Sequence, residues 1–277
     1  MSAVPHALVT GAASGLGRAI AQELAENAWQ LTLVDLQDGA LTTTAEHIRE
    51  TTGAEVDTVV ADLGVDGSAS EVVERTWDRA PIDGLVNAAG IYPAIPFFEL
   101  DAAAWDRVQH VNVSAPLFAT QTLARRAIAD GRTPAVVNIA SGAARRARPG
   151  AAHYSTSKAA LVMVTQASAV ELGAHGIRVN AISPGFFAVD SVVNPVTPEY
   201  TRLLSETVLP GPADPRAIGA TARFLLGDGA RWISGAVVPV DGGAVAGTSA
   251  LPAHWTGTTV WQLPDTHPLL ARKETAS

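Results

Sequence analysis

The chain has 277 residues, 47% of them hydrophobic, enough to bury one large core without splitting. Its 27 acidic against 19 basic residues argue against nucleic acid as a partner, and the lack of cysteine excludes disulfides and thiolate chemistry. No run reaches the ~18 apolar residues of a membrane span and no basic-then-apolar leader opens the chain, so a cytoplasmic protein without a membrane partner is expected.

Residues 6–10 form a short apolar run of strand type. Gly11-Ala-Ala-Ser14-Gly15-Leu16-Gly17 follows at once, and residues 18–26 have the pattern of an amphipathic helix. A strand, a glycine-rich turn and a helix N-terminus make an anion site, because glycines admit a pyrophosphate to the backbone and the helix dipole meets its charge. The spacing is G-x-x-x-G-x-G, not the commoner G-x-G-x-x-G. A second strand, residues 31–35, ends in Asp35. A carboxylate there accepts hydrogen bonds from the adenosine ribose hydroxyls and repels a 2′-phosphate. Leu36, Gln37 and Asp38, which follow, supply no cation, so NAD is expected rather than NADP.

Further strand-like runs at residues 54–60, 84–87, 135–140, 178–183 and 236–240 alternate with helical stretches. This alternation predicts an α/β fold, a seven-stranded parallel sheet with helices on both faces. Residues 159–170 carry no charge. A helix apolar on every side must meet something besides its own sheet, and a subunit interface is the simplest candidate.

Tyr154 and Lys158 stand four residues apart, so on a helix the phenol and the ammonium share one face. A free phenol titrates near ~10, and a neighbouring cation lowers that value. Such a tyrosine can exchange a proton with an alcohol. Ser141 precedes it by thirteen residues.

Taken in order, these segments resemble the short-chain dehydrogenase/reductase family from about residue 6 to 243. The residues that carry the resemblance are Thr10 to Gly17, Asp62-Leu63, Asn87-Ala88-Ala89-Gly90, Asn112, Ser141, Tyr154, Lys158, Pro184-Gly185 and Asp241-Gly-Gly243. The resemblance implies a single Rossmann-like doubly wound domain over residues 1–243. It also implies that Tyr154 is the catalytic acid/base, that Lys158 lowers its pKa and holds the nicotinamide ribose, and that Ser141 orients the substrate oxygen. Asn112 would anchor a water that links the lysine to solvent. Gly11, Ser14, Gly15, Leu16 and Gly17 would cradle the cofactor, with Asp35 and Leu36 at the ribose and Asp62 and Leu63 at the adenine. Asn87 to Gly90 would line the cleft, and Pro184, Gly185, Phe187 and Val189 would wall the nicotinamide. Tetramers or dimers through the apolar helix are implied as well.

Two positions depart from the family pattern. Val189 stands where the family has a threonine that bonds the carboxamide, a loss on the order of 0.5–1.5 kcal/mol. Asn27-Ala28 replaces the glycine before the second strand, and asparagine tolerates the left-handed conformation required there. No clustered His, Asp or Glu set indicates a metal.

The expected activity interconverts a hydrophobic or cyclic secondary alcohol and its ketone. Tyr92, Ile95, Ala143, Phe186 and Val192 are the candidate substrate residues, with plain core as the bland reading of many of them. The alternatives are an NADPH-using 3-oxoacyl-(acyl-carrier-protein) reductase, which Asp35 disfavours, and a silent nucleotide sensor, which the full acid–base set disfavours. Arg145, Arg146 and Arg148 read as a solvated loop face or as partners of another subunit's acids, with a substrate carboxylate or phosphate as the other reading. His153 reads as structural. Residues 244–277, with Trp255 and Trp261, read as an extension packed on its own or a neighbouring subunit.

Overall fold

The computed structural model describes residues 4–187, 199, 201, 207–209 and 213–247. One sheet holds seven strands: β1 His6–Thr10, β2 Gln30–Asp35, β3 Val56–Val60, β4 Gly84–Asn87, β5 Ala135–Ile139, β6 Arg178–Pro184 and β7 Val237–Val240. Every pairing is parallel, in the order β3-β2-β1-β4-β5-β6-β7. The helices are α1 Gly15–Glu26, α2 Asp38–Thr52, α3 Ser68–Trp77, α4 Ala102–Gln109, α5 Ala115–Ala129, α6 Ala152–Leu172 and, after residues that are not described, α7 Arg216–Leu226. A π-helical turn, His110–Ser114, joins α4 to α5. This is the expected α/β architecture, and each strand falls within two residues of its expected bounds. No helix among the described residues is long and apolar enough to cross a membrane.

Strands covered on both faces read as continuous apolar runs, and β1 is buried along its whole length. Successive side chains serve opposite layers. Val9 packs with Ile20 and Leu24 of α1 and Ile218 and Leu225 of α7. Leu8 packs with Val72 and Val73 of α3 and Leu123 of α5. Strand order reverses between β1 and β4, so their crossovers leave in opposite directions. That reversal opens a crevice at the carboxyl ends of these two strands.

Helix α6 inverts the usual polarity. Its buried face carries Ser157, Lys158 and Thr165, while Met163 is 62% and Val170 81% exposed. The polar side is satisfied by a buried chain of hydrogen bonds. Asn87 Nδ2 donates to Asn138 Oδ1, Asn138 Nδ2 to Thr165 Oγ1, and Thr165 Oγ1 to Leu161 O, at 2.8, 2.9 and 2.8 Å. Unpaired, such groups would each cost on the order of 1–3 kcal/mol. Within the uncharged stretch 159–170 the buried polar group is Thr165, which this chain satisfies.

At the turn before β2 the left-handed residue is Ala28, at φ +62°, whereas Asn27 lies at φ −110°. Asn27 acts through its side chain instead, donating Nδ2 to Glu23 O at 2.8 Å. The turn is preserved, with the strain on the alanine. Relieving it with Ala28→Gly should stabilise the fold by about 0.5–1 kcal/mol, readable as a higher urea midpoint at unchanged slope.

Candidate active site

The crevice is built from two loops that must nearly touch. Gly11 has φ +68°, and a methyl there would lie 2.7 Å from the Ala89 backbone. A methyl on Gly17 would lie 2.1 Å from Gly11 O, so α1 can start this close to the turn only with glycine. Gly15 also has positive φ, +55°. Thr10 Oγ1 accepts from Ala88 N and Ala89 N, both at 3.1 Å, which laces the end of β1 to the segment after β4. This hydroxyl was not among the expected cofactor residues, although its position in the glycine motif offered the signal. Ser14 caps α1 without a side-chain hydrogen bond. Leu16 packs on the α1 and α7 layer, and Leu36 is exposed.

Asp35 ends β2 with its carboxylate fixed from two sides. Oδ2 accepts from Ala13 N and Oδ1 from Gln37 N, each at 3.0 Å. Asp62 lies after β3, where Arg107 Nη2 of α4 donates to both oxygens at 2.8 and 3.1 Å and Gly64 N donates at 2.8 Å. Burial pushes the Asp62 carboxyl up, but the Arg107 and Gly64 hydrogen bonds and the Arg107 and His110 charges hold it below its usual value. A methyl on Gly64 would meet the Arg107 guanidinium, so a side chain there would displace Arg107 from this position. Arg107 was absent from the expected set, since a partner 45 residues away leaves no local pattern.

The four expected catalytic residues meet at the carboxyl ends of β4 and β5. Asn112 is fully buried in the π-helical turn. Its Oδ1 accepts from Ile91 N, and its Nδ2 donates to Ile91 O and Ser157 Oγ, at 2.9, 2.9 and 3.0 Å. Both amide hydrogens are thus engaged, so that side chain clamps the segment after β4 and has no N–H left for a water. Lys158 Nζ is buried, donates to Ile139 O at 2.7 Å, and lies 5.8 Å from the Tyr154 ring centroid. A methyl on Gly90 would sit 3.4 Å from both Lys158 Nζ and Asn112 Oδ1. Ser141 Oγ accepts from Ala143 N at 3.1 Å, and its hydroxyl lies close enough to the Tyr154 phenol to lower that group's pKa.

Burial pushes the Tyr154 phenol above its ordinary value, against the Ser141 hydrogen bond and the Arg148 charge, which lower it. Burial likewise pushes the Lys158 ammonium down to about 8. The expected lowering of the tyrosine by the lysine is not what this geometry gives. Residue spacing placed the two groups together but carried no information on burial, which raises the phenol.

Around the tyrosine, the Tyr92 ring stands 5.5 Å away, centroid to centroid. Ile95 N donates to Gly150 O at 2.9 Å, which brings the segment after β4 against the loop before α6. Arg148 lies with Cζ 5.6 Å from the Tyr154 centroid, while Arg145 and Arg146 are exposed. Pro184 ends β6, and Gly185 is forced by Asp241, whose Cα a methyl would approach to 2.8 Å. Phe187 packs on the α1 and α7 layer, and Phe186 is half-buried. His153 is buried and bonded through Nε2 to Pro93 O at 3.0 Å, in keeping with a structural role. Val189, Val192 and the tail with Trp255 and Trp261 lie outside the described residues. No three acidic or histidine side chains gather as a metal-ligand set among the described residues.

The fold and this crevice define a Rossmann-type oxidoreductase, and comparison with known proteins places it more narrowly. A family model described as enoyl-(acyl carrier protein) reductase matches residues 11–245. Gluconate 5-dehydrogenase of Gluconobacter oxydans (strain 621H) is 34% identical over 245 residues, covering 86% of this chain and 93% of that protein. The structure of 4-hydroxyisoleucine dehydrogenase complexed with NADH superposes with a TM-score of 0.78 at 29% identity, covering 88% of this chain and all of the other. A blue fluorescent protein from a metagenomic library, in complex with NADPH, superposes with a TM-score of 0.77 at 31% identity, covering 86% and 97%. The chain belongs to the short-chain dehydrogenase/reductase family.

The buried amine has a measurable consequence. Because its folded pKa, about 8, lies below the unfolded 10.5, Lys158 adds stability as pH rises through that window and loses it as pH falls. The raised Tyr154 value acts oppositely, losing stability above pH ~10, and is common to both proteins compared. The stability difference between wild type and Lys158→Met should therefore shift toward wild type by about 3 kcal/mol between pH 8 and 10.5, followed by urea unfolding at each pH.

Proposed function

We propose that this chain is an NAD-dependent dehydrogenase or carbonyl reductase that interconverts a secondary alcohol and a ketone on a hydrophobic small molecule. One observation carries the reading: Tyr154, whose phenol the Ser141 hydroxyl pulls down, lies near Lys158 at the crevice where the glycine turn after β1 meets the segment after β4. When bound there, the nicotinamide supplies the hydride acceptor or donor. Tyr154 takes the hydroxyl proton in oxidation and returns it in reduction. Ser141 holds the substrate oxygen with a neutral hydrogen bond, which suits a developing alkoxide. Lys158, donating to Ile139 O beside Gly90, sits where it can hold the nicotinamide ribose. Asn112 positions the segment that carries Gly90 and Ile91 through two hydrogen bonds to Ile91, and ties it to α6 through a third to Ser157.

The preference for NAD rests on Asp35. Its two backbone hydrogen bonds fix a negative charge at the end of β2, and the residues that follow carry no cation to meet a 2′-phosphate. Tyr92 and Ile95 border the tyrosine side of the crevice and support an apolar substrate body. The exposed apolar strip of α6, Met163 and Val170 together, supports assembly into dimers or tetramers.

A panel of secondary alcohols with each nucleotide tests the chemistry. Turnover should favour NAD over NADP, and Tyr154→Phe should reduce kcat by about 10²–10⁴ with an unchanged thermal midpoint. A preference for NADP would favour the acyl-carrier-protein reductase reading, and full activity in Tyr154→Phe would remove acid–base catalysis by this residue. For assembly, Met163→Glu with Val170→Glu should yield a smaller species by light scattering at the same concentration.

A further inference from the structure

Asp62 follows β3, and its carboxylate is gripped from two sides. Arg107 Nη2 of α4 donates to Oδ1 at 2.8 Å and to Oδ2 at 3.1 Å, while Gly64 N donates to Oδ1 at 2.8 Å. The Arg107 guanidinium fills the place that a side chain on residue 64 would occupy, so it lies directly against the Gly64 backbone. One residue after α4, His110 Nδ1 stands 3.3 Å from Asp66 Oδ1, a second tie between this helix and the same loop. A carboxylate has about four acceptor positions. Three are taken here, two on Oδ1 and one on Oδ2, and the side chain remains 33% exposed. The carboxyl is held below its ordinary value, so at neutral pH it accepts and does not donate.

The same carboxylate sits toward the outer end of the nucleotide crevice. Ala61 N donates to Asp35 O at 3.0 Å, so Asp62 starts at the end of β2, on the side away from β1. A dinucleotide with its pyrophosphate at the turn after β1 and its adenosine ribose at Asp35 carries its base outward toward β3. Adenine offers an exocyclic amine there, which is a donor. Hypoxanthine has a carbonyl oxygen at the same position and would set one acceptor against another. We infer that Arg107 is a positioning residue for the choice of nucleobase. With Gly64 it fixes Asp62 so that the remaining acceptor position, on Oδ2, selects a 6-aminopurine. Without Arg107 the carboxylate is free to turn aside from a carbonyl, and the penalty against hypoxanthine is lost. That role rests on the proposed binding of a dinucleotide in the crevice and adds to it what decides between bases.

Calorimetric titration of the full chain with NAD and with nicotinamide hypoxanthine dinucleotide, which differ in the purine alone, provides the test. NAD should bind about tenfold more tightly or better, the scale of one hydrogen bond to a charged group. The ratio of the two affinities should fall to about threefold or less in Arg107→Met. It should recover in part in Arg107→Lys, whose point charge cannot span both oxygens. Gly64→Ala keeps the arginine but drives its guanidinium off Asp62, and should lower the ratio in the same way. Arg79→Met, which removes an exposed partner of Asp57, should leave the ratio unchanged. A merely structural arginine would weaken both dinucleotides equally. Equal affinities in the wild type, or a ratio unchanged in either Arg107→Met or Gly64→Ala, overturns the inference and leaves the dinucleotide site standing. Binding of neither dinucleotide by the wild type overturns the cofactor reading, and the inference with it.

Discussion

Everything at the catalytic end of the sheet depends on how closely two backbone segments approach where strand order reverses. Gly11 abuts Ala89 with no room for a methyl, and the Thr10 hydroxyl accepts both amides of the opposing segment. From that junction the geometry propagates outward. The segment beyond Ala89 reaches Gly90 and Ile91, which Asn112 clamps, and Asn112 bonds Ser157 one residue before Lys158. A shift at the first contact would therefore displace the amine and the phenol on α6. Parallel sheets leave such a crevice wherever crossovers diverge, and the glycines make this one narrow and definite.

The inner face of α6 answers a second constraint, that polar groups in a dry interior must find partners. Asn87, Asn138 and Thr165 bond in series across β4, β5 and the helix. This lattice packs the helix while leaving Tyr154 and Lys158 to face the crevice. Burial disfavours the charged form of each, raising the phenol and lowering the ammonium to about 8. Ser141 and Arg148 pull the phenol back down.

The strands were legible because each is a short apolar run between glycine or polar breaks, and the motif glycines were legible because only glycine satisfies their contacts. What escaped was set by tertiary packing. Arg107 reaches Asp62 across 45 residues, and Asn27 and Ala28 exchange the roles that propensity assigns them. Tyr154 and Lys158 were correctly paired, yet the direction of the phenol shift depends on burial, which spacing does not encode. The three loop arginines look equivalent as letters, and that Arg148 comes within 5.6 Å of the Tyr154 ring centroid emerges only in three dimensions.

The composition adds one practical corollary. Lys158 and Lys273 are the chain's lysines, since arginine supplies nearly all its cations. Isotopic labelling of lysine side chains would thus produce a spectrum with almost no overlap, in which the amine beside Ile139 reports from within the crevice itself. Nucleotide occupancy, proton transfer and loop rearrangement could all be followed from that one resonance, with no reporter group grafted onto the protein.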